Sequence, residues 1–139
     1  MKILISPAKS LDFDSTIDSL KCTQPVFLNK TSEINSVLKE KSPKDLMQLQ
    51  GISQKLSDLN WKRNNDYVDN HNNKNSRPAV YAFNGDVYNG IDVKTLSEDK
   101  VYDLQKSLRI LSGYYGVLNP LALIQPYRLE MGTKLAVNG

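Results

Sequence analysis

Short apolar runs separated by polar turns predict a chain that mixes strands and helices. The N-terminal run Lys2–Ile5 precedes Ser6-Pro7 and predicts a buried strand. From Leu11 to Lys30 the apolar residues follow no regular period, which predicts an irregular connection. A helix is predicted from Thr31, because three apolar residues then recur at helical spacing: Ile34, Val37 and Leu38.

Two further helices are predicted from their capping residues. Ser42 can cap the first of them, with Pro43 at its first helical position and Asp45 as the acidic half of a capping box. Gly51 is expected to end that helix, and Ser53 can cap the next one. Leu46 and Leu49 of the first helix are expected to point to the core, and the second helix carries Leu56, Leu59 and Arg63 on related faces.

An asparagine-rich stretch, Asn64–Ser76, divides the chain and predicts a fraying helix end followed by a mobile loop. After Pro78, the apolar run Ala79–Phe83 predicts a strand, and Asn84–Gly90 predicts a turn.

The next predicted helix begins at Ser97. Two acidic residues, Glu98 and Asp99, fall in its first turn, where they complement the helix dipole. Its apolar face is expected from Val101, Leu104 and Leu108. The strand Arg109–Leu111 follows and enters a tight Ser112-Gly113 turn.

This order of elements predicts an α/β or α+β fold with a small mixed sheet and flanking helices. Residues 1–139 suit a single domain. The final residues Leu135–Gly139 end without a completed element, and the predicted sheet has an edge left to cover. We therefore expect the chain to be the N-terminal portion of a longer protein, with a fold that is incomplete in this fragment.

Composition narrows the function classes. A lone Cys22 excludes an internal disulfide and a cysteine zinc cluster, and is typical of a reducing cytoplasm. A single His71 disfavours a histidine metal site and a Ser-His-Asp triad. No run approaches the roughly 20 apolar residues of a membrane span. The net charge of +3 permits an anionic partner without requiring one. We expect no cofactor, no membrane partner and a monomer.

Leu46–Leu56 resembles a helix-hairpin-helix element, in which backbone N–H groups at a helix N-terminus contact a DNA phosphate. Ser53 occupies the position of the usual second glycine of that element. Seven residues are candidates for sequence-nonspecific DNA binding: Lys44, Gly51, Ile52, Ser53, Lys55, Lys62 and Arg63. An ordinary two-helix corner with a solvated basic face is the alternative.

A second candidate site is a cleft lined by glycine-containing turns, where polar side chains could hold a nucleotide or base. Its candidate residues are Lys9, Asp86, Tyr88, Ser112, Gly113, Tyr127, Arg128 and Glu130. Nothing in the sequence orders them into nucleophile and base, so an enzyme remains the alternative to a binding protein. Iron binding through Asp86 and Glu130 is the least favoured option without a histidine pair.

A purely structural role for the same residues must be weighed against the cleft. Four tyrosines are equally suited to a core in which their hydroxyls are satisfied: Tyr88, Tyr114, Tyr115 and Tyr127. Arg128 and Glu130 fall on one face of an extended chain and are suited to a buried ion pair.

Three separated motifs resemble those of the YaaA-type peroxide-stress family, in the same order along the chain. They are Ile5–Lys9 with Leu11-Asp12, Ala82–Tyr88 with Gly90, and Arg109–Gly113 continuing through Glu130–Gly132. Local departures are Tyr114 where leucine is common, Asn119 where arginine is common and Ala122 where aspartate is common. Family members are typically longer, so the resemblance covers their N-terminal part, and the lysine- and arginine-containing motif near their C-terminus is absent here.

The resemblance implies an unusual α/β fold and a bacterial cytoplasmic protein that protects against hydrogen peroxide by limiting unincorporated iron and DNA damage. It also implies DNA binding through a positively charged cleft that includes the helix-hairpin-helix-like segment. It implies no enzymatic reaction.

Overall fold

A computed structural model describes residues 2–14 and 22–130. The end of the chain, residues 131–139, and part of the stretch predicted to be irregular, residues 15–21, lie outside the described residues. The elements follow in the order β1 (Ile3–Ile5), β2 (Ser10–Leu11), α1 (Leu28–Leu38), α2 (Pro43–Gln50), α3 (Gln54–Asp66), β3 (Arg77–Pro78), α4 (Ala79–Ala82), β4 (Phe83–Asn84), α5 (Asp86–Ile91), a 3₁₀ turn (Val93–Thr95), α6 (Glu98–Ser107), β5 (Leu108–Ser112), β6 (Gly116–Leu118) and β7 (Leu123–Ile124).

The mixed α/β prediction is confirmed. The largest sheet in the described residues has the order β1-β5-β6, with β1 parallel to β5 and β6 antiparallel to it. Two smaller antiparallel pairs, β2 with β4 and β3 with β7, join the middle of the chain to its two ends. Inward-facing residues of β5 alternate with half-exposed ones, as expected for a strand with one buried face.

The prediction of a buried N-terminal strand is wrong in its burial. The strand forms, but Ile3 is 54% exposed and Leu4 is 60% exposed. The physical reason is position, since β1 pairs with β5 alone and lies at the edge of the described sheet. Sequence pattern gives a strand's hydrophobicity and not its place in a sheet.

The capped helices formed as predicted. In α2 the Ser42 side chain accepts a hydrogen bond from the Asp45 backbone N–H, and the Asp45 carboxylate accepts one from the Ser42 N–H. Leu46 is fully buried and Leu49 packs against the core. Helix α6 begins after Ser97, as predicted.

Two details of the helical region differ from expectation. Helix α1 begins at Leu28 rather than at Thr31, and the Thr31 hydroxyl is buried where it donates a hydrogen bond to the Tyr114 carbonyl oxygen. Leu59, which the spacing groups with Leu56 and Arg63, is 42% exposed, because α3 buries the small polar side chains Ser57 and Asn60.

The predicted strand Ala79–Phe83 is wrong. Ala79–Ala82 forms the short helix α4, all four residues of which are buried, and only Phe83 continues into a strand. The turn predicted over Asn84–Gly90 is largely the helix α5. A short apolar run that is buried on every side has the same composition in a strand and in a helix, so periodicity could not separate them.

The prediction of a mobile loop at Asn64–Ser76 also fails in its packing, because the loop is tied to the core. Asn64 is buried, and its carbonyl oxygen accepts a hydrogen bond from the Asn35 side chain. His71 is buried against Tyr115. Asn72 and Asn75 bond to each other through side chains and backbone, which satisfies the turn locally.

Candidate nucleic-acid interface and the adjoining pocket

The first candidate site is the hairpin, which we define as residues 51–53 together with the flanking ends of α2 and α3. Gly51 has a φ of 61°, a left-handed conformation that glycine adopts without a steric penalty. The Ser53 hydroxyl accepts a hydrogen bond from the Leu56 N–H at 3.2 Å and so caps α3. Within the described residues, the N–H groups of Gln54 and Lys55 have no hydrogen-bond acceptor. The N-terminus of α3 therefore presents two free donors to solvent.

The predicted basic residues around this hairpin differ in how available they are. Lys44 and Lys55 are exposed. Lys62 is also exposed, but its ammonium lies 2.5 Å from the Asp66 carboxylate, which offsets its charge. The Arg63 guanidinium is half-buried and donates a hydrogen bond to the Asn60 side-chain oxygen at 3.2 Å. Ile52 is buried.

The second candidate site is a pocket of about 260 Å³ with a mostly apolar wall. The loop after β1 forms one side of it, and Gly113 with the segment after β7 forms the other. Its lining residues are Ser6, Pro7, Ala8, Lys9, Gly113, Tyr127, Arg128, Leu129 and Glu130. Five of the eight residues predicted from the sequence to line a cleft are therefore on its wall: Lys9, Gly113, Tyr127, Arg128 and Glu130.

The motif that contains Asp86 and Tyr88 packs against the loop after β1, which forms one side of the pocket. The Tyr88 hydroxyl donates a hydrogen bond to the Ser6 carbonyl oxygen at 2.7 Å. A Cβ atom at Gly85 would lie 3.2 Å from the Ala8 side chain, so the turn before α5 packs closely against the loop after β1. Asp86 begins α5 and is not among the residues that line the pocket.

Ser112 also lies behind the pocket wall and organises the turn that carries Gly113. Its hydroxyl oxygen accepts hydrogen bonds from the N–H groups of Tyr114 and Tyr115, at 3.2 and 3.0 Å. It lies 2.6 Å from the Tyr127 hydroxyl. Because two amides occupy the acceptor positions of Ser112, we assign its proton to the bond with Tyr127. This arrangement is structural, and no base among the described residues contacts the Ser112 hydroxyl as a nucleophile would require.

Tyr88, Tyr115 and Tyr127 behave as core aromatics whose hydroxyls are hydrogen-bonded. Tyr127 stacks on Tyr114, with ring centroids 5.0 Å apart and an interplanar angle of 18°. Burial raises the pKa of Tyr127 to about 12, against a smaller lowering by the hydrogen bond to Ser112. Burial also raises the pKa of Tyr115 well above its ordinary value. These hydroxyls remain protonated at neutral pH and act as hydrogen-bond donors and acceptors rather than as charges.

Three charged side chains meet at the pocket. The Glu130 Oε1 atom lies 3.2 Å from the Lys9 ammonium and 3.6 Å from an Arg128 guanidinium nitrogen. The predicted Arg128–Glu130 ion pair is therefore present. The expectation that the pair is buried fails at Glu130, because that side chain is 53% exposed whereas the Arg128 side chain is 18% exposed.

Gln50 connects the hairpin to the pocket, a contact that the sequence did not indicate. Its side-chain amide donates a hydrogen bond to the Arg128 carbonyl oxygen at 2.7 Å. Arg63 and Arg128 also approach each other from the two sites: burial chiefly lowers the pKa of Arg63, and the positive charge of Arg128 lowers it further. The hairpin and the pocket are therefore neighbours on one side of the molecule.

The described residues contain no group of three His, Cys, Asp or Glu side chains placed to hold a metal ion. Across the same residues, none of the helices combines the length and the hydropathy needed to span a membrane.

Comparison with known proteins identifies close relatives. A family model described as "Peroxide stress protein YaaA" matches residues 1–139. A UPF0246 protein of Flavobacterium psychrophilum is 52% identical over 138 residues, which is 99% of this chain and 55% of the relative. A UPF0246 protein of Idiomarina loihiensis is 50% identical over 135 residues, which is 97% of this chain and 52% of the relative. The chain spans about half the length of the curated relatives it matches.

Proposed function

The chain belongs to the YaaA peroxide stress protein family, and from this premise we propose that it binds DNA in the hydrogen peroxide response. Binding is through phosphates, without reading base sequence, by a cytoplasmic monomer that limits unincorporated iron and DNA damage. We further propose that residues 1–139 are the N-terminal portion of a longer protein, in keeping with relatives that are almost twice as long.

The observation that carries the proposal is the exposed N-terminus of α3. The N–H groups of Gln54 and Lys55 lack acceptors among the described residues, and the helix dipole adds partial positive charge at the same point. An anion such as a phosphate oxygen is the natural acceptor at such a terminus. The left-handed Gly51 supports the proposal, since it keeps the turn short and leaves no side chain in the way of a DNA backbone.

Charge around the hairpin supports the same conclusion. The exposed ammonium groups of Lys44 and Lys55 flank the turn. Arg63, half-buried on α3, adds a third positive charge between the hairpin and the pocket. Lys62 contributes least, because its partner Asp66 is only 2.5 Å away and competes with a phosphate for the ammonium.

The test is duplex binding over a series of salt concentrations. Lys44→Ala and Lys55→Ala are each expected to weaken binding and to reduce the slope of log K against log salt by about 0.9, the value expected when one fewer phosphate is neutralised. Lys62→Ala is expected to change the slope less. Lys100→Ala is the matched control, because Lys100 is an exposed lysine on α6, away from the hairpin sequence. Equal slopes for the Lys55 and Lys100 variants would refute binding through the hairpin.

The iron component needs a separate measurement in cells. Unincorporated iron is compared in peroxide-treated cells that carry or lack the gene. Lower iron in the cells that carry it supports this part of the proposal, and equal iron in both refutes it without affecting the DNA-binding test.

A further inference from the structure

The Arg128 guanidinium is the most incompletely satisfied charged group at the pocket. Its side chain is 18% exposed, so most of its hydration is removed. Within residues 2–14 and 22–130, its one ionic partner is Glu130 at 3.6 Å, beyond ordinary hydrogen-bond length. A guanidinium has five N–H donors and no acceptor. None of the Arg128 nitrogens is among the buried, unpartnered side-chain atoms of the described residues, so these donors keep access to solvent and are available to a ligand that offers hydrogen-bond acceptors.

Glu130 needs hydrogen-bond donors from a ligand, whereas Arg128 needs acceptors. Both of its ion pairs, with Lys9 and with Arg128, use the Oε1 atom. Its Oε2 atom takes part in neither, and a carboxylate only accepts hydrogen bonds. Arg128 and Glu130 thus present donors and acceptors side by side, and a complementary ligand carries an acceptor next to one or more donors.

The volume of the pocket is suited to a small molecule. Its volume of about 260 Å³ falls just below the ~300–1,000 Å³ of sites that enclose whole drug-sized ligands. Its wall is mostly apolar, with Pro7, Tyr127 and Leu129 among the contributing side chains. An aromatic ring system with polar atoms on one edge satisfies both the apolar wall and the charged pair.

We propose that this pocket takes the base of a single unpaired nucleotide in DNA, with guanine preferred. The Watson–Crick edge of guanine presents the O6 acceptor beside N–H donors, which matches Arg128 beside Glu130. That edge is exposed only when the base is not paired, so the ligand is a base outside the duplex stack. This inference rests on the proposed DNA binding, and it assigns a role to a pocket that phosphate binding alone does not use.

The placement of the pocket beside the hairpin supports DNA as the source of the base. Gln50, the last residue of α2, bonds to the Arg128 carbonyl oxygen and so fixes the pocket wall relative to the turn that would hold phosphate. The Gln50 bond thus places the end of α2 against the pocket wall, and we propose that a strand whose phosphate lies at the hairpin also presents a base to the pocket.

The experiment compares two duplexes of equal length, one fully paired and one with a single unpaired guanine. The chain is expected to bind the second about tenfold more tightly, the order of effect of one good base contact. Glu130→Gln keeps the size of the side chain but replaces one of its two acceptor oxygens by an amide donor and removes the charge, and is expected to remove most of this preference, measured as the ratio of the two affinities within each variant. Lys55→Ala is the matched control, expected to weaken both complexes equally and to preserve their ratio.

Five outcomes are distinguishable. Loss of preference in Glu130→Gln alone supports the inference, as does a weaker preference for an unpaired thymine. Equal wild-type affinity for the two duplexes overturns it while leaving DNA binding intact. Failure to bind either duplex overturns the proposed function as well. Binding of free deoxyguanosine monophosphate that depends on Glu130, without any preference between the duplexes, overturns DNA as the source of the base.

Discussion

The Gln50 side-chain amide donates a hydrogen bond to the Arg128 carbonyl oxygen at 2.7 Å, across 78 residues of sequence. This bond joins the end of α2 at the hairpin to the wall of the pocket. The other polar atom of the same amide, Oε1, is buried and has no hydrogen-bond partner in the described part of the chain. Gln50 thus leaves one buried oxygen unsatisfied while it holds the two candidate sites together.

Gln50→Ala is expected to lower the free energy of unfolding by about 1 kcal/mol, because the Arg128 carbonyl loses its donor while the unpaired Oε1 atom is removed as well. Gln48→Ala on the same helix is the control, since Gln48 is exposed and makes no comparable bond to the pocket wall, and its loss should change stability by less than about 0.5 kcal/mol. Urea unfolding of both variants measures the difference. Equal stabilities would show that the Gln50 bond contributes nothing.

The two open glycines Gly51 and Gly90 are expected to respond to alanine with opposite signs. A Cβ atom meets no neighbour within 4 Å at either position, so space does not distinguish them. Gly51 has a left-handed φ of 61°, and Gly51→Ala should cost about 1–2 kcal/mol. Gly90 is inside α5, and Gly90→Ala should raise stability by about 0.5–1 kcal/mol. Thermal unfolding measures the change in stability of each variant. Two changes of the same sign would contradict this account of the hairpin.

Ser112→Ala is expected to destabilise the fold by about 2–3 kcal/mol, because it leaves the buried N–H groups of Tyr114 and Tyr115 and the Tyr127 hydroxyl short of a partner. Ser36→Ala on the exposed face of α1 should change stability by less than about 0.5 kcal/mol. The two variants are compared by denaturant unfolding. A destabilisation at Ser112 no larger than that at Ser36 would mean that the turn does not depend on this hydroxyl.

His71 gives the fold a pH dependence whose sign follows from its surroundings. Its Nε2 atom lies 2.9 Å from the Tyr115 hydroxyl and its Nδ1 atom lies 3.1 Å from the Asp69 carbonyl oxygen. Since the Tyr115 oxygen already accepts the Gln125 N–H, its own proton goes to Nε2, and we assign the His71 proton to Nδ1. The neutral ring therefore satisfies both partners.

Burial lowers the pKa of His71, against smaller upward effects of the carbonyl and charge of Asp69. The unfolded chain then binds a proton before the folded chain does, so stability is complete above the ordinary histidine pKa of about 6.5 and falls as pH decreases through it. The expected decrease approaches ~1.4 kcal/mol per pH unit until the folded protein is protonated too. Unfolding of the wild type and His71→Gln between about pH 7 and pH 5 measures it. Equal pH dependence in both would contradict the assignment.

Local interactions made the capped helices α2, α3 and α6 predictable. The capping residues Ser42, Ser53 and Ser97 bond to backbone groups three positions away, so the sequence alone determines them. The hairpin candidate followed directly, because its turn and its caps are contained in Ser42–Leu56.

Long-range contacts account for what the sequence did not predict. The packing of Ala79–Ala82 as a helix depends on its burial among distant segments, including bonds from Ala79 and Val80 to the carbonyl oxygens of Ala122 and Pro120. The exposure of Ile3 and Leu4 depends on the edge position of β1. The sequence indicated Lys9, Arg128 and Glu130 as pocket residues, because charged side chains beside glycine turns suit a polar ligand. It did not indicate Gln50, because the partner of its hydrogen bond, Arg128, lies 78 residues away along the chain.

The most direct measurement of the central claim is an NMR titration of the ¹⁵N-labelled chain with a short DNA duplex. We expect the largest amide shift changes at Gln54 and Lys55, whose N–H groups would donate to a phosphate, with smaller changes along α2 and α3. The amide chemical shifts of α6 are expected not to change. Largest changes on α6, or none at the start of α3, would contradict DNA binding through the hairpin.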